Sequence, residues 1–557
     1  MQFNDKSPCF DGEIIVYNSE KLLKKNIEDT VKVQIKGTTK YKRVKGSKTS
    51  YSIAKEDLEV FKKTGKGVIY FLVVIDRKTS KMQPFYKSLT PLEIERNLSI
   101  LRAKKQKSLA IDFKKVKENQ LEQICLYQIK RVRKQASFYI GLGENKKFST
   151  YFMEYDILPS EMDTFNPLET PMYIYGIEDG NEYPLKAAIP NSINRISNVN
   201  FNIEEEDINI SIEICESLNN IKIIVENILE FNFSKVNNKG NLKLNKINNL
   251  LSYVKALKTL KYLLINNELP FDLGEIKASI DNKKEFENLG LEIKKYERAL
   301  EICKKIGIKS NYSFEHIENS ELVIEQIIDF FGDKNYEQLV NGYDENHNIL
   351  KIEIAGRLNL LLLKDNEDEL YYNLFDRSLY EKVGAYLPKN EGPFNPNLDE
   401  YYSVSIFTAY PLKELIELTN FEFELYQDSL LSEKHDKSLE SNNTLALEMI
   451  NIYFDTKDFR FLSLAQNLLH ELINKHSDNL IYKLNIILIH KIEGITFNEE
   501  EEEFLGTIIE EDDLVMKFGA YVLMDAKIPA NKIFQQLSEE EKKLIEEFPI
   551  GTLLRLL

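Results

Sequence analysis

The 557-residue chain predicts an α+β multidomain protein: an N-terminal mixed sheet flanked by helices, a β-rich middle and an all-helical C-terminal region. Three observations carry that expectation. The chain is several times the length of one ordinary core. Period-two apolar runs rich in β-branched residues fill its first and middle parts, whereas apolar spacings of three and four dominate after about Leu412. Its charge also changes sign along its length. The net charge is -16, yet residues 1–150 hold 33 Lys+Arg against 16 Asp+Glu and the remaining 407 residues sum to -33.

The elements follow in order. Residues 12–17 (Gly-Glu-Ile-Ile-Val-Tyr) and 31–36 (Val-Lys-Val-Gln-Ile-Lys) read as strands joined by a polar, basic connection, with a third short strand at Thr49–Ile53. A helix over Lys55–Lys63 stops at Gly65. Val68–Ile75 is apolar on both faces, as the middle strand of a covered sheet is. Asp76–Lys81 turns a hairpin into Met82–Tyr86, and Thr90-Pro91-Leu92-Glu93 opens a helix with a capping box and proline at the first helical position. A helix over Asn119–Gln135 ends on Lys130, Arg131, Arg133 and Lys134. Short alternating runs cover Tyr139–Phe233. Helices return at Leu242–Ile265 and Lys283–Ile306, a second β patch spans Ile349–Leu363 and Glu369–Phe375, and from Leu412 the pattern is helical. The segments are 1–137 (basic), 138–310 (β-rich, then helical), 311–411 (α+β) and 412–557 (helical).

Several classes of function are disfavoured. No apolar run approaches the length of a membrane-spanning helix, and the N-terminus shows no signal-peptide pattern, so the expectation is a cytoplasmic protein without a membrane partner. Cys9, Cys125, Cys215 and Cys303 form no CxxC pair, which points to reduced thiols. There is no GxxxxGK[ST] phosphate loop, and Gly141-Leu142-Gly143 lacks the third glycine of a dinucleotide fingerprint. All six histidines lie beyond residue 300, and His316, His347 and His435 form no metal-ligand spacing. Phe461–Ile473 and Leu480–Leu488 read as one antiparallel helix pair with no second copy at a fixed period.

Chemistry in the basic segment therefore rests on Asp11-Gly12-Glu13 and Gln34-Ile35-Lys36. Strand alternation puts Asp11 and Glu13 on one face, Gln34 and Lys36 on one face, and Val33 and Ile35 in the core. A carboxylate and an amide oxygen suit a hard divalent cation, and a neighbouring ammonium orients water or stabilises charge on a scissile phosphate.

An acid at a strand start followed by Q-x-K on the next strand resembles the PD-(D/E)XK phosphodiesterase superfamily, closest to Mrr-like Q-x-K variants in multidomain bacterial anti-phage defence proteins. The likeness covers about residues 1–135. It implies a restriction-endonuclease-like fold and a magnesium- or manganese-dependent nuclease (Mg²⁺ or Mn²⁺). Asp11, Gln34 and Lys36 would be catalytic, and Asp11 and Gln34 metal ligands with Glu13 as a substitute. Gln34 stands where an acid is commoner, and only ten residues precede Asp11. Lys40, Lys42, Arg43, Lys45, Lys130, Arg131, Arg133 and Lys134 would contact nucleic acid, DNA before RNA. The C-terminal helices would assemble copies or recruit a protein partner. The other expectation is an adaptor or scaffold that binds nucleic acid without cutting it.

Overall fold

The computed structural model describes residues 10–39, 47–135, 147–155, 157–237, 239–271, 280, 283–338, 348–390 and 397–556. The chain divides into two compact units, one of residues 1–197, 212–224 and 230–243, the other of 198–211, 225–229 and 244–557. This division is coarser than the four segments read from the sequence. The architecture is α+β with several sheets and a helical C-terminal region.

The first unit is built on a six-stranded mixed sheet. Its strands are β1 (Gly12–Tyr17), β2 (Ile27–Thr38), β3 (Lys48–Ala54), β4 (Val68–Ile75), β5 (Met82–Leu89) and β6 (Ser108–Lys115), in the order β1-β2-β4-β5-β6-β3. Only β2 and β4 run parallel to each other; the other neighbours are antiparallel. The apolar strand β4 lies third of six, as its two-sided hydrophobicity requires. Gly67, just before it, has φ +63°, and a β-carbon there would stand 2.5 Å from the Leu89 carbonyl oxygen, so the turn into β4 admits only glycine.

Two helices cover one face. These are α1 (Lys55–Thr64), closed by Gly65 in the left-handed conformation, and α2 (Pro91–Lys104), opened by the Thr90–Glu93 capping box. Leu58, Phe61, Ile94 and Leu98 pack there on Tyr70, Leu72, Phe85 and Phe113. The other face buries Val31, Val33, Ile69 and Tyr86 under Ile124, Cys125 and Ile129 of α3 (Leu121–Lys134). Burial raises the Cys125 thiol to about 11, so it stays protonated. A three-stranded sheet, β7 (Thr150–Tyr155), β8 (Met172–Glu178) and β9 (Asn181–Ala188), follows in the same unit. Five further strands, β10 (Ser192–Ile203), β11 (Glu206–Ser217), β12 (Asn220–Val225), β13 (Leu229–Ser234) and β14 (Gly240–Leu244), pair in sequential order.

The second unit contains α4 (Leu250–Asn266), α5 (Leu289–Lys305) and a sheet of β15 (Ile349–Ile354), β16 (Leu358–Lys364) and β17 (Tyr371–Asn373). From Leu412 to Leu556 every regular element among the described residues is helical. These helices share one apolar core that begins at Leu361 and runs to Leu553.

Three expectations need correction. Ile35 is 48% exposed rather than core: Val31 and Val33 on its face join the cluster under α3, and Ile35 lies outside it. The predicted helix at Leu242 starts at Leu250. Leu242 and Leu244 sit in β14, and Asn249 caps the helix by accepting from the Ser252 N–H. The helix placed from Lys283 is a short 3₁₀ turn before α5 begins at Leu289. Strand β6, with Leu109, Ile111 and Phe113 alternating, adds an element to those expected.

Candidate functional site at the edge of the six-stranded sheet

Asp11 immediately precedes β1, and its backbone N–H donates to the Val33 carbonyl at 3.0 Å. The antiparallel β1–β2 pairing thus brings a residue from the chain start beside one from the middle of β2. The carboxylate of Asp11 accepts two hydrogen bonds, from the Gln34 amide Nε2 and from the Ile35 backbone N–H at 2.6 Å. Two of the three predicted catalytic residues are therefore in direct contact.

Gln34 pairs with Tyr70 across the parallel β2–β4 ladder, which sets it on the face covered by α1 and α2. It is 5% exposed, and its Oε1 is buried with no hydrogen-bond partner among the described residues. A buried acceptor without a donor costs roughly 1–3 kcal/mol, so this oxygen departs from the rule that interior polar atoms are paired. Lys36 follows two residues on, level with Leu72, and is exposed. Among the described residues it makes no ion pair. Alternation places Gln34 and Lys36 on the same face, as expected.

Glu13 is placed differently from Asp11. It stands opposite Lys32 on β2 and forms an ion pair with it. Lys32 also lies over the Phe10 ring at 5.9 Å. The carboxylate predicted as a substitute ligand is thus engaged by a neighbouring ammonium.

The residues present fit a small divalent cation in one respect. Asp11 and the unpartnered Gln34 oxygen are hard donors on adjacent side chains, the type Mg²⁺ and Mn²⁺ take along with water. Among the described residues no three His, Cys, Asp or Glu side chains group as metal ligands. A cation here would rest on one carboxylate and one amide.

Of the predicted phosphate contacts, Lys40, Lys42, Arg43 and Lys45 lie outside the described residues. Lys130 is exposed on α3. Arg133 pairs with Glu28 at 2.6 Å and Asp29 at 3.6 Å. Lys134 pairs with Glu154 at 3.1 Å and Glu182 at 3.5 Å; burial opposes its charge, but these acids hold its pKa above the ordinary lysine value. Arg131 lies over the Tyr127 ring at 5.8 Å and lines a separate cleft. That cleft, between β5 and β6, is a feature sequence reasoning missed, because its walls come from residues more than a hundred positions apart.

No protein-family model, curated protein or solved structure matches this chain. Among the described residues no helix is long and apolar enough to cross a membrane.

Proposed function

We propose that the basic N-terminal segment is a metal-dependent nucleic-acid phosphodiesterase, an effector nuclease of the kind used against phage, with the C-terminal helices serving sensing or assembly. The observation that carries the reading is the contact between Asp11 and Gln34, with the buried Gln34 oxygen left unpartnered and Lys36 on the same face. Asp11 and Gln34 would hold Mg²⁺ or Mn²⁺, which when bound supplies Lewis-acid polarisation of a phosphoryl oxygen. Lys36 would present its ammonium to the developing charge on the phosphate, and the +17 segment would attract the polyanion.

The test is cleavage of single- and double-stranded DNA and RNA by the full chain with Mg²⁺ or Mn²⁺. Asp11→Ala and Lys36→Ala should each abolish cleavage. Lys36→Ala, at an exposed position, should leave the melting temperature nearly unchanged. Undiminished cleavage by both variants would overturn the assignment.

A second reading is favoured by two observations: Asp11 already satisfies the Ile35 N–H, and Glu13 is neutralised by Lys32. On that reading the segment binds nucleic acid without cutting it and works as an adaptor. Salt-sensitive binding with no metal-dependent cleavage would select it. A protein using ~6 to 10 phosphate contacts loses roughly 10³ to 10⁵ in affinity between about 50 and 200 mM salt.

A further inference from the structure

Strands β5 and β6 pair only at Phe85 with Lys115 and at Tyr86 with Lys114, whereas β3 pairs with the other edge of β6 all the way from Lys114 to Ser108. The wedge where they part opens a cleft of about 380 Å³, within the range of roughly 300–1,000 Å³ typical of small-ligand sites. All its lining residues belong to the first unit.

The apolar part of its lining is formed by Ile124, Leu158, Leu168, Pro171 and Ile189. The polar part is made of matched ions. Lys114 binds Glu161 at 2.6 Å, and the Tyr86 hydroxyl donates to the same carboxylate at 2.9 Å. Lys87 binds the buried Glu93 at 2.7 Å, and Lys48 binds Glu169 at 3.2 Å at the rim. Arg131 and Asp112 complete a lining with equal numbers of cations and anions. Burial, then the Glu161 charge, push the Tyr86 hydroxyl pKa well up, so it remains a donor.

The balance of charge selects the ligand. A purely anionic ligand that took Lys114 would leave Glu161, itself 15% exposed, without its cation. A purely cationic one would strand Lys114. Leaving the mostly shielded Glu161 without a cation is costly and leaving the half-exposed Lys114 alone costs less, whereas a ligand carrying both charges lets each ion exchange one partner for another. From this geometry we propose that the cleft binds a zwitterion with an apolar side group, an amino acid or dipeptide, its carboxylate on Lys114, its ammonium on Glu161 and its side chain on the apolar lining of Ile124 and Leu168. The proposal does not rest on the phosphodiesterase reading, since Asp11, Gln34 and Lys36 take no part in it.

The experiment is calorimetric titration of the full chain with phenylalanine, phenethylamine and 3-phenylpropionate, which share a ring and differ in charge. Phenylalanine should bind roughly 10- to 100-fold tighter than either single-charge analogue, the value of one charge-assisted hydrogen bond. Glu161→Gln keeps an acceptor for Tyr86 but removes the ammonium's partner, and should shift preference to 3-phenylpropionate. Lys114→Met should shift it the other way, to phenethylamine. Because Lys114 is half-exposed, that variant serves if the Glu161 change unfolds the unit. Equal binding of all three probes, binding of none, or a ranking unchanged in both variants would overturn the proposal.

Discussion

Two buried side-chain amides, one in each unit, show how differently a polar group can be used. Asn420, wholly buried in the second unit, spends every hydrogen-bonding atom. Its Nδ2 donates to the Leu361 carbonyl at 2.9 Å, to Asn373 Oδ1 at 2.8 Å and to the Ile306 carbonyl at 3.4 Å, while its Oδ1 accepts from the Leu361 N–H at 3.1 Å. It ties the end of α5, strand β16 and the end of β17 to one point. Gln34 gives its donor to Asp11 and leaves its acceptor with nothing. A satisfied amide is explained by the fold it holds; an unsatisfied one is not, and calls for a ligand or a cost borne for function.

The largest effect this comparison implies is at Asn420. Replacement by alanine takes the Asn420 amide from the Leu361 N–H and the Ile306 carbonyl inside the core, while the Leu361 carbonyl keeps the Leu374 N–H at 3.2 Å, and should cost roughly 2–5 kcal/mol. Hydrogen exchange at Leu361 should accelerate accordingly. Protection at Leu361 equal to that of the native chain would remove Asn420 from its place as the hub.

A smaller effect is expected at a polar pair whose balance depends on pH. His435 Nδ1 lies 3.1 Å from the Ser403 hydroxyl, and burial, then Lys434, lower its pKa below the ordinary 6.5. The folded chain thus resists a proton that the unfolded chain accepts. Stability from this site is full above about pH 6.5 and falls as pH drops through that value towards the lowered one. Melting temperature measured from pH 7.5 to 5 should decline, and His435→Gln should flatten the decline. An identical pH profile for the variant would show that other groups carry it.

Much of this fold was legible because local signals agreed with tertiary need. The two-sided apolar run of β4, the Thr90 capping box and the Gly65 stop each name their element, and each stands where the sequence puts it. The face shared by Gln34 and Lys36 followed from period two alone. What stayed hidden depends on which neighbours each residue meets. Ile35 looks like core until the cluster under α3 is seen to take in Val31 and Val33 without it, and Glu13 looks like a ligand until Lys32 is found opposite. The β5–β6 cleft was out of reach because the shortness of the β5–β6 ladder, two residue pairs, is a long-range outcome without a local mark.

The smallest stability effect should come from Gln34, whose buried oxygen has no partner among the described residues. Gln34→Met keeps the length and volume of the side chain and removes both amide atoms, so the orphaned acceptor disappears with its desolvation cost. Asp11 loses one donor but keeps the Ile35 N–H at 2.6 Å. The two changes oppose each other, and the net should fall within about 1 kcal/mol of zero, on either side. If the amide oxygen serves a cation, the same substitution should remove metal-dependent cleavage, and it should erase any shift in melting temperature that Mn²⁺ produces in the native chain. A loss of several kcal/mol instead would place Gln34 beside Asn420, as a strut of the fold, and the unpaired oxygen would then carry no functional meaning.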